Sequence, residues 1–143
     1  MILGGSSPRI VEQLINTTGI DSVLGQVVKL DSATDFGYTP SSGAESLAFG
    51  IVAKAGVPSG SYVPIVTAGV TDVLFSSTCS PARGDTATVS TTGAGRAATT
   101  PPEDTYAQSI GTVLESGSAP SALVKVNVFF AKTLNISGLR SDA

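Results

Sequence analysis

The chain has no histidine and no tryptophan in its 143 residues, and cysteine and methionine occur once each. Without histidine, the Ser-His-Asp and Cys-His nucleophile arrangements are excluded, and a zinc site loses its usual nitrogen and sulfur ligands. A single thiol, Cys79, cannot form an internal disulfide; it reads as a small filler at a strand end. Charge is scarce as well: 13% of the residues are charged, the formal net charge is -3, and the isoelectric point is about 4.7. The eight basic residues are scattered between Arg9 and Arg140, which leaves no basic footprint for a phosphate backbone and argues against direct nucleic-acid binding. No apolar run approaches the roughly 18 residues of a membrane span, and the N-terminus lacks the basic start and apolar core of a signal peptide. The expectation is a soluble, non-enzymatic protein made in a cytoplasm, with no cofactor, no nucleic acid and no membrane partner.

What is present is a neutral, β-forming composition. Hydrophobic residues make up 41% of the chain, the mean hydropathy is +0.29, and Ser and Thr together supply about a quarter of the residues. Low charge with this much apolar material argues for a folded chain, and the length suits one domain. Within it a glycine-led, valine-rich frame comes round twice. Phe49-Gly50-Ile51-Val52, Gly56 and Gly60 through Val66 correspond to Ile110-Gly111-Thr112-Val113, Gly117 and Ser121 through Asn127 at one constant offset. Gly25-Gln26-Val27-Val28-Lys29-Leu30 and Gly84-Asp85-Thr86-Ala87-Thr88-Val89 extend the match at an offset two residues shorter, as a small loop change would produce.

Short runs rich in Val, Ile, Thr and aromatics, bounded by Gly, Pro, Ser and Asp, predict at least seven strands: residues 23–30, 47–52, 62–66, 70–75, 86–90, 110–114 and 123–130. The last alternates Val124, Val126, Val128 and Phe130 with Lys125, Asn127 and Phe129, the pattern of a strand with one buried face. Ala68-Gly69 suggests a tight hairpin between residues 62–66 and 70–75. Residues 31–46, 76–83 and 91–109 read as long loops, which in compact domains tend to be functional. The fold class expected is all-β, a small β-sandwich or barrel-like domain with two similar halves, plus a short N-terminal helix or arm. Ser7-Pro8 suits a helix start, and Ile10, Val11, Leu14 and Ile15 at i, i+1, i+4 and i+5 give a short helix one apolar stripe. That stripe either caps the domain's own core or docks on a neighbour. The chain accordingly divides into an arm at 1–19, a β-rich domain at 20–130 and a tail at 131–143.

Small motifs yield to structural explanations. Glu103-Asp104, behind Pro101-Pro102, reads as a solvated loop tip rather than an acid/base pair. No segment has calcium-loop spacing, and Gly93-Ala94-Gly95 lacks the strand-to-helix setting of a dinucleotide motif, so it reads as a turn. Arg83-Gly84-Asp85 spells an adhesion tripeptide, but Gly and Asp at a strand entry read as a turn. Asn135-Ile136-Ser137 matches a glycosylation acceptor that has meaning only on a secreted chain.

The order Gly25-Gln26-Val27-Val28, Phe49-Gly50-Ile51-Val52, Gly60 through Val66 with Gly69-Val70, Gly84-Asp85 with Gly93, and Ile110 through Leu114 ahead of Val124-Lys125-Val126 resembles the head decoration, or capsid cement, proteins of tailed double-stranded DNA phages. The resemblance covers residues 23 to 130; the two ends add material that the short members lack. It implies a structural virion protein on the capsid exterior, with the major capsid protein as partner, a homotrimer at local three-fold positions, and a role in bridging coat subunits against the pressure of packaged DNA. In that setting Ile10, Val11, Leu14 and Ile15 are the candidate capsid or subunit contacts, each worth roughly 1.5 to 3 kcal/mol if fully buried. The alternative is a β-sandwich module binding glycans on a virion or cell surface, with Tyr38 and Tyr106 in the loops as its aromatic platforms.

Overall fold

Nine strands are laid down by the described residues of the computed structural model, which are 8–42, 47–99, 108–120 and 122–130. They are β1 (Arg9–Asn16), β2 (Val27–Leu30), β3 (Gly37–Pro40), β4 (Ala48–Val52), β5 (Tyr62–Leu74), β6 (Thr86–Val89), β7 (Ala97–Ala98), β8 (Ser109–Val113) and β9 (Leu123–Phe129). No helix occurs among these residues, and the all-β expectation holds. Five strands close into a barrel in the order β1-β3-β2-β4-β5, with β5 returning to pair with β1. The remaining strands continue from the far half of β5 in the order β9-β8-β6-β7, and this second ring closes through a parallel bridge between Phe75 and Ala97. Closure leaves few free edges, and free edges are the usual hazard of all-β chains.

The doubled sequence frame is a doubled register. In the first barrel Val27 stands opposite Ile51 and Val28 opposite Gly50, with a bulge after Val28. In the second ring Thr86 stands opposite Thr112 and Ala87 opposite Gly111, with the bulge after Ala87. The same bonds recur: Gly25 N–H to the Val52 carbonyl at 2.9 Å and Gly84 N–H to the Val113 carbonyl at 2.8 Å; Gly56 N–H to Ser22 and Gly117 N–H to Pro81, both 2.9 Å. The two-residue change in offset falls in the connection between β3 and β4 and its counterpart between β7 and β8. Leu14, Val28, Tyr38, Val52, Val63 and Ile65 form the core of the first barrel. Their register equivalents Val73, Ala87, Ala97, Val113, Val124 and Val126 lie together in a second cluster, which also takes in Val27, Ala48 and Ile51 from the first barrel. The two barrels are therefore fused through β5 and through a shared apolar layer.

Three local expectations are corrected. Residues 9–16 are a strand and not a helix. Ile10, Val11 and Ile15 are β-branched and favour extended backbone, and β1 makes seven cross-strand pairs with β5, more than a two-turn helix could return against its nucleation cost. The preceding Ser7 lies outside the described residues. Ala68-Gly69 is not a hairpin, because β5 runs unbroken from Tyr62 to Leu74 and serves both barrels. Gly69 is there for close approach: a Cβ on it would stand 2.5 Å from the Arg9 side chain and 2.6 Å from the Pro8 carbonyl oxygen as β1 passes. Two presumed loops each contain a short strand, β3 paired with β2 and β7 paired with β6. Glu103-Asp104, Tyr106, Asn135-Ile136-Ser137 and the 131–143 tail lie outside the described residues.

Candidate interaction surface

The four residues singled out in the N-terminal segment do not share one face. Leu14 is 4% exposed and belongs to the first barrel's core. Ile15 is half-buried and pairs with Tyr62. Strand alternation points Val11 away from the face that buries Leu14, and the β-bulge between Ile10 and Val11 shifts the register beyond it. Ile10 and Val11 remain exposed at 59% and 38%.

Between β1 and the chain entering β3 lies an open groove of about 580 Å³, lined by Val11, Glu12 and Leu14 on one side and by Leu30, Phe36 and Phe49 on the other. Phe36 is 70% exposed. It is also the one non-glycine residue with positive φ, 59°, among the described residues. Its carbonyl accepts a 2.7 Å hydrogen bond from the Ile15 N–H and so seams β1 to the β3 entry.

The equivalent place in the second ring is filled. There the segment Gly25-Gln26-Val27 lies between β5 and Gly95, the register equivalent of Phe36. Leu74 N–H donates to the Gly25 carbonyl at 2.9 Å, Val27 N–H donates to the Gly95 carbonyl at 2.8 Å, and Gly95 N–H donates to the Ser41 carbonyl at 2.7 Å. Gln108 locks the joint from behind: its side-chain oxygen accepts from the Ala48 N–H at 2.7 Å, and its amide donates to the Ala48 carbonyl at 3.2 Å. Val89 and Ile110, the equivalents of Leu30 and Phe49, are fully buried there.

Elsewhere the polar chemistry serves the frame. Arg83 and Gly84 form a turn whose Asp85 carboxylate accepts from the Ala82 N–H at 3.0 Å, which supports the turn reading of that tripeptide. Asp31 accepts from the Ala33 N–H at 2.9 Å and the Thr17 hydroxyl at 2.8 Å; these bonds hold its carboxyl below the usual carboxylate range. Lys125 is bonded to Asp72 at 2.9 Å on the surface, and that bond and charge raise its pKa above the ordinary lysine value. Cys79 packs against the second cluster, its sulfur 3.5 Å from the Thr99 hydroxyl, beside a hydroxyl-lined cleft of about 390 Å³. Tyr38, read as a loop residue, is fully buried, so it offers no platform to a sugar. Its hydroxyl has no partner among the described residues, and burial pushes its pKa up to about 12. No three His, Cys, Asp or Glu side chains gather into a metal-binding group among the described residues, and no helix there is long and apolar enough to cross a membrane.

The residues missed by the sequence reading are Leu30, Phe36, Leu47 and Phe49. A signal for them existed: continuing the doubled frame sets Phe36 against Gly95 and Leu47 against Gln108, an apolar-for-small and an apolar-for-polar exchange at equivalent places. The chain matches no known family and no curated protein.

Proposed function

We propose that this chain is a structural virion protein that binds the outer surface of a phage capsid and stabilises it by bridging coat subunits. The observation that carries the reading is the contrast between a doubled, closed β frame and the side chains it leaves outside. Ile10, Val11, Leu30, Phe36 and Leu47 are exposed on the first barrel, on a chain with few charges. Contact surfaces of this kind attach by apolar burial and act together when several copies bind at once. The resemblance of the glycine and valine frame to capsid cement proteins supplies the partner, the major capsid protein, the location on the capsid exterior and the homotrimeric arrangement.

Of the four N-terminal residues, Ile10 and Val11 remain available for such contact, while Leu14 is committed to the barrel core. The reading is tested by decorating undecorated heads with wild type and with Ile10→Lys, then heating them and recording DNA release. Wild type is expected to raise the release temperature, and the variant to do so less at equal protein concentration. Heads that release DNA at the same temperature with and without bound wild type would refute the stabilising role.

A further inference from the structure

Among the described residues, each molecule carries one filled joint, one unfilled groove and one unused copy of the segment that fills the joint. Within the chain the filler is Gly25-Gln26-Val27. Its register equivalent on the second ring is Gly84-Asp85-Thr86, which has the same local shape. Leu24-Gly25 and Arg83-Gly84 are both turns, with φ of 81° at Gly25 and 94° at Gly84. The Val52 N–H donates to the Gln26 carbonyl at 3.0 Å, and the Val113 N–H to the Asp85 carbonyl at 2.9 Å. Their surroundings differ. A Cβ on Gly25 would meet the Leu74 nitrogen at 2.9 Å, whereas one on Gly84 would meet nothing within 4 Å. Val27 is fully buried and Thr86 is exposed.

We propose that a second copy of this chain docks its Gly84-Asp85-Thr86 segment into the groove between β1 and Phe36, repeating between molecules the joint that the two barrels make within one. The bonding balances. Docking opens the Ile15 N–H to Phe36 carbonyl bond and makes two in its place: the Ile15 N–H donates to the Gly84 carbonyl, as Leu74 does to Gly25, and the Thr86 N–H donates to the Phe36 carbonyl, as Val27 does to Gly95. Leu30 and Phe49 then take the buried roles of Val89 and Ile110. Phe36 stands where a Cβ on Gly95 would lie 2.8 Å from the Gln26 side chain, so the incoming segment meets it with the shorter Asp85 and the Phe36 ring turns aside. The segment carries Arg83 and Asp85 together and so brings no net charge to a groove that Glu12 lines and Asp35 flanks; the contact is carried by backbone bonds and apolar burial. A contact between unlike surfaces is head-to-tail, and it leaves a free groove and a free segment at the ends unless it closes into a ring. The inference stands on the internal joint and not on the capsid reading, so failure of either leaves the other in place.

The test is solution mass by sedimentation over a wide concentration range, on wild type, Leu30→Lys and Thr86→Lys. Both positions are exposed in the single chain, and retention of the β circular-dichroism signal confirms folding. Wild type is expected to self-associate, and each variant to weaken that association by about tenfold or more, because a lysine charge would have to be desolvated in the joint. Mixing the variants is the decisive arm. Leu30→Lys keeps an intact segment and Thr86→Lys an intact groove, so together they should form a one-to-one pair and nothing larger. A wild type that stays monomeric throughout would overturn the proposal. So would assembly that survives both substitutions, assembly lost in Leu30→Lys but kept in Thr86→Lys, or a mixture that forms no pair.

Discussion

Phe36 and Gly95 hold the same position in the two barrels, both in left-handed backbone with φ of 59° and 71°, yet Phe36 is exposed while Gly95 is buried against Gln26 and Pro40. Glycine adopts that conformation freely, whereas a side chain there costs roughly 1 to 2 kcal/mol. Within one molecule Phe36 recovers little of this through packing.

Replacing Phe36 by glycine is therefore expected to leave stability within about 1 kcal/mol of wild type, because relief of strain opposes the added freedom of the unfolded chain. Urea unfolding measures it. A loss of about 3 to 5 kcal/mol, the usual cost of removing a core aromatic, would show that Phe36 packs within the single chain.

Gln108 holds both backbone groups of Ala48 from the other barrel. Gln108→Ala leaves a buried N–H and a buried carbonyl without partners, and should cost about 2 to 4 kcal/mol. A change below about 0.5 kcal/mol, as at an ordinary surface position, would mean that the bracket does not hold the barrels together.

Gly50 and Gly111 stand where the neighbouring strand passes closest. A Cβ on Gly111 would fall onto the backbone carbonyl of Asn127, and one on Gly50 onto the Ile65 side chain. Gly111→Ala is expected to lower stability by about 2 kcal/mol or more, since backbone yields less readily than a side chain. Thr112→Ala, at the exposed next position, is the control and should stay within about 0.5 kcal/mol. Denaturant midpoints of the two variants decide.

Tyr38 sits in the first core with no partner for its hydroxyl among the described residues. Tyr38→Phe is expected to be neutral or stabilising by up to about 1 kcal/mol. Its folded pKa of about 12 lies above the ordinary value of 10.0, so the protonated form is favoured in the folded state. That contribution is present below pH 10 and is lost as pH rises toward 12, because the unfolded chain releases the proton first. Wild-type stability should therefore fall across this window more steeply than that of Tyr38→Phe, as thermal melts at alkaline pH would record.

The doubled frame was legible because glycine at a turn and glycine under a crossing strand are demanded by backbone geometry, and both kinds recur in order: Gly25 with Gly84, Gly50 with Gly111. What escaped was set by distant partners. Ile10 through Ile15 fits a helical stripe and an extended strand equally well over so short a span, and only β5 decides between them. Ala68-Gly69 carries the letters of a turn, but the need for glycine comes from Arg9, some sixty residues earlier in the chain. β3 holds its two β-formers, Tyr38 and Thr39, between Gly37 and Pro40, too short a run to announce a strand, and β7 is only Ala97-Ala98. The exposed groove was hidden for the same reason, since Leu30 and Phe49 look like ordinary core residues, and Phe36 like a loop residue, until Val89, Ile110 and Gly95 are seen to be covered by the other barrel.

The most direct measurement of the proposed role is sedimentation of the purified, folded protein with expanded, undecorated heads assembled from the major capsid protein of a tailed phage. Saturable binding at a fixed ratio to coat subunits, changing little between low and physiological salt because few charges are involved, is the expected result. A folded protein that stays in the supernatant at every concentration would contradict a role on the capsid.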